Sequence, residues 1–219
     1  MPSSTVEDYL KAILKLQRPD DARVSPGAVS QALGVSPGTV TSMMKTLADS
    51  GLVTYEPYSG VLLTPEGRSL AIHVIRRHRL VELFLVQVLG MDWSEVHAEA
   101  ERLEHVVSDA VIGRIDDLLG HPSVDPHGDP IPDRHGMVEE LDHPSLATCE
   151  VGRELRVVRV LDQDPEFLRS MEDRGLTPGR AVRVEERATA ADTVALVVDG
   201  GGFSLGLRAA AKVFVEAAE

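Results

Sequence analysis

The sequence predicts an α+β chain with an N-terminal winged helix-turn-helix, a helical dimerisation domain and a C-terminal small β-barrel of the SH3 type. Three observations predict it. Helical periodicity with Ser-Pro starts leads into a strand–turn–strand stretch, LVTYEPYSGVLLTPEG. Two long helical stretches then carry more apolar positions than one packing face needs. Last come five short β-type runs parted by turn residues. The bounds read as 1–70, 71–136 and 148–219, with a linker at 137–147.

In the first part, Ser4-Thr5-Val6-Glu7 resembles a capping start, followed by Tyr9, Leu10, Ile13, Leu14 and Leu16 at helical spacing. Ser25-Pro26 opens a second helix that Gly34 ends, and Ser36-Pro37 opens a third running to Gly51. Two short helices joined at Gly34-Val35 make a helix-turn-helix whose second helix is the groove reader. Ser36, Pro37, Gly38, Thr39, Thr41, Ser42 and Lys45 are its candidate DNA contacts. The hydroxyls, the helix N-terminus and the lysine suit phosphate. With no arginine for guanine, sequence preference would rest on small side chains and DNA shape. A capped, solvated surface helix is the bland alternative, and the wing directly after it weighs against that.

The second part reads as helices over Glu66–Leu89 and Ser94–Leu119, parted by Gly90-Met91-Asp92-Trp93. Their surplus of Leu80, Leu83, Phe84, Val86, Val88, Leu103, Val106, Val107, Val111, Ile112, Ile115 and Leu118 suggests burial against a second copy. The stretch HPSVDPHGDPIPDRHG reads as an extended loop whose polar groups face water, because of its prolines. In the third part the strands are Leu155–Val160, AVRVEE, VALVV, FSLGL and KVFVE, with one short helix in FLRSMEDRG.

Composition excludes several classes. The net charge of −13 argues against a nonspecific nucleic-acid coat, though local DNA binding depends on patches rather than totals. The start lacks a secretory pattern and no apolar run approaches membrane-spanning length, so a cytoplasmic protein without membrane contact is expected. Cys149 alone cannot form an intrachain disulfide.

The chemistry concentrates in VHAEAERLEHVVSD, where His97, Glu101, Glu104 and His105 would share one helix face. Glu101, Glu104 and His105 stand at i, i+3 and i+4, and His78 and Glu82 repeat the i, i+4 spacing on the preceding helix. Clustered carboxylates repel, and a divalent ion is the simplest thing that makes such a cluster favourable. A solvated acidic face is the competing reading, weakened by there being two clusters.

The chain resembles the diphtheria-toxin-repressor family of metal-dependent transcriptional regulators. The resemblance is carried by STVEDYLKAIL, the reader helix, LTPEGRSLA, RRHRLVELFL, VHAEAERLEHVVSD and DPHGDPIP, in that order. It implies a primary metal site of Asp8, Glu101, Glu104 and His105. It also implies an ancillary site of His78, Glu82 and His97 completed by Gln163 and Glu166, with Asp162 or Asp164 as substitutes. Iron-type members carry Met and Cys where this chain has Asp8 and Glu101. Hard oxygen donors suit manganese(II), as in the manganese branch, whereas sulfur favours softer ions. That branch has a Glu where this chain has Lys11, against a closely spaced ion pair.

The resemblance therefore implies a manganese-responsive repressor of metal-uptake genes, a homodimer on a palindromic double-stranded operator, with two Mn(II) ions per subunit. A ferrous-iron-dependent repressor is the alternative. A metal-dependent hydrolase is the rival from another class, but no nucleophile arrangement, His-Glu-x-x-His or phosphate-cradling loop supports it.

Overall fold

The structure, a computed structural model, describes residues 3–17, 22–138 and 142–218. These form two compact units, one from the described residues of 1–78, 104–107 and 132–137, the other from those of 79–103, 108–131 and 138–219.

In the first unit, α1 (Ser4–Leu16) is capped by Ser3, whose side chain accepts from Val6 N. The cap is thus one residue earlier than the Ser4 start expected. Helix α2 (Pro26–Leu33) and helix α3 (Pro37–Asp49) each begin as the Ser-Pro pairs predict. Ser25 Oγ accepts from Ala28 N at 3.1 Å and Ser36 Oγ from Thr39 N at 3.2 Å. Gly34 ends α2 in the left-handed region at φ 65°, which frees the chain to turn sharply into α3. Strands β1 (Val53–Glu56) and β2 (Gly60–Leu63) pair antiparallel from Val53↔Leu63 to Glu56↔Gly60 and form the wing. Leu10 and Ile13 of α1 pack with Val29, Val40, Met44, Leu47 and Val61 in one core. Burying Val40, Met44 and Leu47 orients α3, so Ser36, Thr39, Ser42 and Lys45 stay exposed.

Helix α4 (Pro65–Gln87) follows the predicted long helix closely. The next one does not. Instead of one helix over Ser94–Leu119, the chain makes α5 (Val96–Leu103) and α6 (Asp109–Leu118). Three things end α5. Val106 and Val107 are β-branched and disfavour helix, Ser108 caps α6 through Val111 N at 3.4 Å, and Glu104 is held by Lys11 and His78. The i, i+3, i+4 face expected for Glu101, Glu104 and His105 is therefore not a continuous helix surface.

In the second unit, the loop after α6 also departs from expectation. Asp125, His127 and Asp129 are buried rather than facing water. Asp125 Oδ1 accepts from the backbone N–H of His127 (2.8 Å) and Asp129 (2.9 Å), folding the proline-rich loop back on itself. Gly128, at φ 84°, passes so close to Val158 that a Cβ would sit 1.9 Å from its carbonyl oxygen. The sheet holds β3 (Glu154–Val160), β4 (Ala181–Ala188), β5 (Thr193–Val198), β6 (Gly201–Gly206) and β7 (Val213–Ala217). All pairs are antiparallel, in the order β6-β5-β4-β3-β7, as a small barrel-like meander requires. Alternate residues such as Val182, Val184, Val194 and Leu196 face a core shared with Leu168 and Met171 of α7 (Pro165–Glu172). Among the described residues, no helix is long and apolar enough to cross a membrane.

Candidate metal centres and nucleic-acid interface

The first centre lies within the first unit. Asp8 is on α1, and Glu104 and His105 are in the turn after α5. Their donor atoms come within 4.8 Å of one another. His105 Nε2 is 2.9 Å from Asp8 Oδ1 and 3.3 Å from Glu104 Oε1, while Nδ1 is 2.7 Å from Glu7 Oε2. Both ring nitrogens thus lie within hydrogen-bond distance of a carboxylate, an arrangement that favours the charged imidazole. Burial works against that charge. The hydrogen bond to Glu7 and the charges of Glu104 and Asp8 outweigh it and lift the His105 pKa above its usual value. Burial likewise raises Asp8, against the pull of His105 and Lys11.

Glu104 is fully buried and held at both oxygens. Lys11 Nζ lies 2.6 Å from Oε1 and His78 Nδ1 2.6 Å from Oε2. His78, expected in the ancillary group, is thus also in contact with Glu104. Glu101 belongs to the second unit, where it lies 3.6 Å from His97 Nε2.

The second centre was missed in the sequence. Glu82, Asp125 and His127 are all buried in the second unit, with donor atoms within 4.8 Å. His127 Nε2 donates to the Trp93 carbonyl at 2.9 Å, which puts the proton there. Its Nδ1 then faces Glu82 Oε2 at 3.8 Å and Asp125 Oδ1 at 3.9 Å without a hydrogen bond. A buried ring nitrogen without a hydrogen bond, aimed at two carboxylates, fits a cation better than it fits an empty polar core. Burial, with Asp129 and Glu82 nearby, pushes the Asp125 pKa well above the carboxylate range despite Arg79. His97 Nδ1 adds a contact to Glu82 at 3.0 Å. By contrast Glu166 is exposed at the start of α7 and joins none of the clusters found among the described residues, while Gln163 keeps a buried Oε1 without a hydrogen bond. The signal that could have found the second centre was Asp125, His127 and Asp129 alternating around glycine in DPHGDP.

The reader-helix residues form a continuous outer surface, Thr41 being half-buried. Ser36 and Thr39 hydroxyls meet at 2.8 Å, and Thr41 donates to the Pro37 carbonyl at 3.0 Å. They therefore serve α3 locally before any contact with phosphate.

A helix-turn-helix with a wing, joined in one chain to buried carboxylate–histidine clusters, defines a metal-responsive DNA-binding regulator. Residues 1–61 match the iron dependent repressor N-terminal DNA binding domain, 64–133 its metal binding and dimerisation domain, and 145–217 the FeoA domain. The iron-dependent repressor IdeR of Mycobacterium tuberculosis is 34% identical over 90% of this chain and 89% of its own. The regulator MntR of Lysinibacillus sphaericus is 38% identical over 54% of this chain and 84% of its own. A solved manganese-dependent transcriptional repressor in complex with manganese has a TM-score of 0.87 at 39% identity, covering 97% of this chain and 100% of that one. The chain belongs to the diphtheria-toxin-repressor family of metal-dependent transcriptional repressors.

Proposed function

We propose that this protein is a manganese-responsive repressor of metal-uptake genes. In this reading it works in the cytoplasm as a homodimer on a palindromic operator and carries two ions per subunit. The observation that carries it is the donor set of the first centre. Asp8, Glu104 and His105 offer oxygen and nitrogen, with no sulfur among them, which suits manganese. Glu101 would complete this set, as the family resemblance implies. Glu82, Asp125 and His127 would form the second site, with His97 beside Glu82.

A bound divalent ion would supply positive charge where carboxylates otherwise repel one another and phosphate. Asp8 ties that charge to α1, which packs against the core that orients α3. The protein's task is therefore to hold α1 and the turn at Glu104-His105 in one arrangement, from which the outer face of α3 can meet DNA. The DNA contacts would be Ser36, Pro37, Gly38, Thr39, Thr41, Ser42 and Lys45. Metal and DNA affinities are then linked, each raising the other by the same factor. Exposed Val106, Val111 and Leu118 favour a second copy of the chain as partner.

Ferrous iron stands as the second reading because similar full-length relatives are described as iron-dependent repressors. The test is metal stoichiometry and affinity under anaerobic conditions for manganese and ferrous iron. Two manganese ions per subunit are expected, one lost with His105→Ala and the other with His127→Ala. Uptake that neither substitution reduces would contradict both sites.

A further inference from the structure

We propose that Glu7 is the positioning carboxylate of the primary metal site: through Nδ1 it holds the His105 ring with Nε2 facing Asp8 and Glu104. The inference deepens the metal-site reading above and rests on it. Glu7 precedes Asp8 on α1, and its side chain is only 6% exposed, against 39% for Asp8. A carboxylate one residue from a ligand would ordinarily point elsewhere on the helix. Here the two neighbours take opposite nitrogens of one imidazole, Glu7 Oε2 on Nδ1 at 2.7 Å and Asp8 Oδ1 on Nε2 at 2.9 Å.

The two bonds differ in what they permit. Nε2 is also 3.3 Å from Glu104 Oε1, so it is the nitrogen that looks into the donor cluster. With Nδ1 directed at Glu7, Nε2 is the nitrogen left to a metal, and the ring keeps its orientation. Arg77 Nη1 lies 3.6 Å from Glu7 Oε1 on the other side and braces the carboxylate. Lys11 Nζ is engaged with Glu104 Oε1 at 2.6 Å. Without Glu7, a neutral His105 is free to carry its proton on Nε2, presenting N–H where a ligand atom is needed.

The test compares the parent with Glu7→Ala, Glu7→Gln and His105→Ala. Manganese binding is measured by chelator competition without DNA, and the His105 tautomer by nitrogen NMR of the metal-free protein at a pH where the ring is neutral. Glu7→Ala is expected to lower manganese affinity about 10- to 100-fold and to populate the Nε2–H tautomer. Glu7→Gln keeps an acceptor and is expected to recover most of the affinity. Glu7→Met, which matches the side-chain length without an acceptor, repeats the measurement if Glu7→Ala does not fold. Parental affinity and an unchanged tautomer in the alanine or methionine variant would overturn the role of Glu7. Parental affinity in His105→Ala would instead overturn the metal-site reading itself.

Discussion

Lys11 Nζ and Glu104 Oε1 form an ion pair of 2.6 Å with side-chain exposures of 7% and 0%. An internal cation thus already pairs with the fully buried carboxylate of the first centre, and an ion bound there would compete with it for Oε1. Removing one partner of a buried pair generally costs about 3–5 kcal/mol. Lys11→Met is therefore expected to lower the melting temperature of the metal-free protein. Manganese affinity should rise about tenfold, equivalent to roughly 1.4 kcal/mol. Calorimetric melts with and without manganese check both parts, since the ion-induced stabilisation should grow in the variant.

The raised pKa of His105 sets a pH window. Its ordinary value is about 6.5. A raised folded-state value means the protonated ring stabilises the metal-free fold fully below about pH 6.5, and this is lost as pH rises through the folded-state value. Coordination needs Nε2 bare, so manganese affinity should climb through the same window and level off above it. Chelator competition across about pH 5.5 to 8.5 reads the slope. A flat profile would remove His105 from the ligand set.

Asp125 is costly in the metal-free protein, because burial and neighbouring carboxylates oppose its charge. Its raised pKa makes it destabilising as pH rises above the ordinary carboxylate value of about 3.9. Asp125→Asn keeps the shape and removes the charge, so the metal-free fold should gain about 1–3 kcal/mol near neutral pH. One equivalent of bound metal should be lost at the same time. Urea unfolding and metal content measured on the same preparations check this. A variant that loses stability and keeps its metal would mark Asp125 as structural.

Much of this architecture was readable from residues. Ser25-Pro26 and Ser36-Pro37 gave the caps of α2 and α3, because cap chemistry is local. The five strands followed from alternation around Val182, Val184, Val194 and Leu196. Glu104 and His105 came from their spacing in VHAEAERLEHVVSD, and Asp8 from the family resemblance. The helical-face argument failed at Leu103, where tertiary bonds from Lys11 and His78 to Glu104 outweigh helix continuation. The Asp125–His127 centre was hidden for a related reason. Prolines signal a loop, but they do not say whether the loop is folded inward by its own Asx bonds. Glu7 was hidden too, since only the fold brings it within 2.7 Å of a residue 98 positions away.

Metal choice should follow the two positions that lack sulfur. Asp8→Met together with Glu101→Cys should move the ratio of activation midpoints from manganese toward ferrous iron, since later divalent metals gain more from thiolate and thioether donors. Anaerobic DNA-binding titrations with each ion, parent against double variant, read that ratio. An unchanged ratio would place selectivity outside these two residues.

DNA binding that depends on a divalent ion is the core of the account. Its most direct measurement uses duplex DNA selected from a random-sequence pool by the manganese-loaded protein. Binding of that DNA is then titrated with manganese present, after chelation, and after manganese is restored. Tight binding with manganese, its loss by at least about 100-fold on chelation, corresponding to roughly 2.7 kcal/mol of coupling, and full recovery on restoration are the predicted results. Equal affinity for the selected DNA with and without the ion would contradict the account.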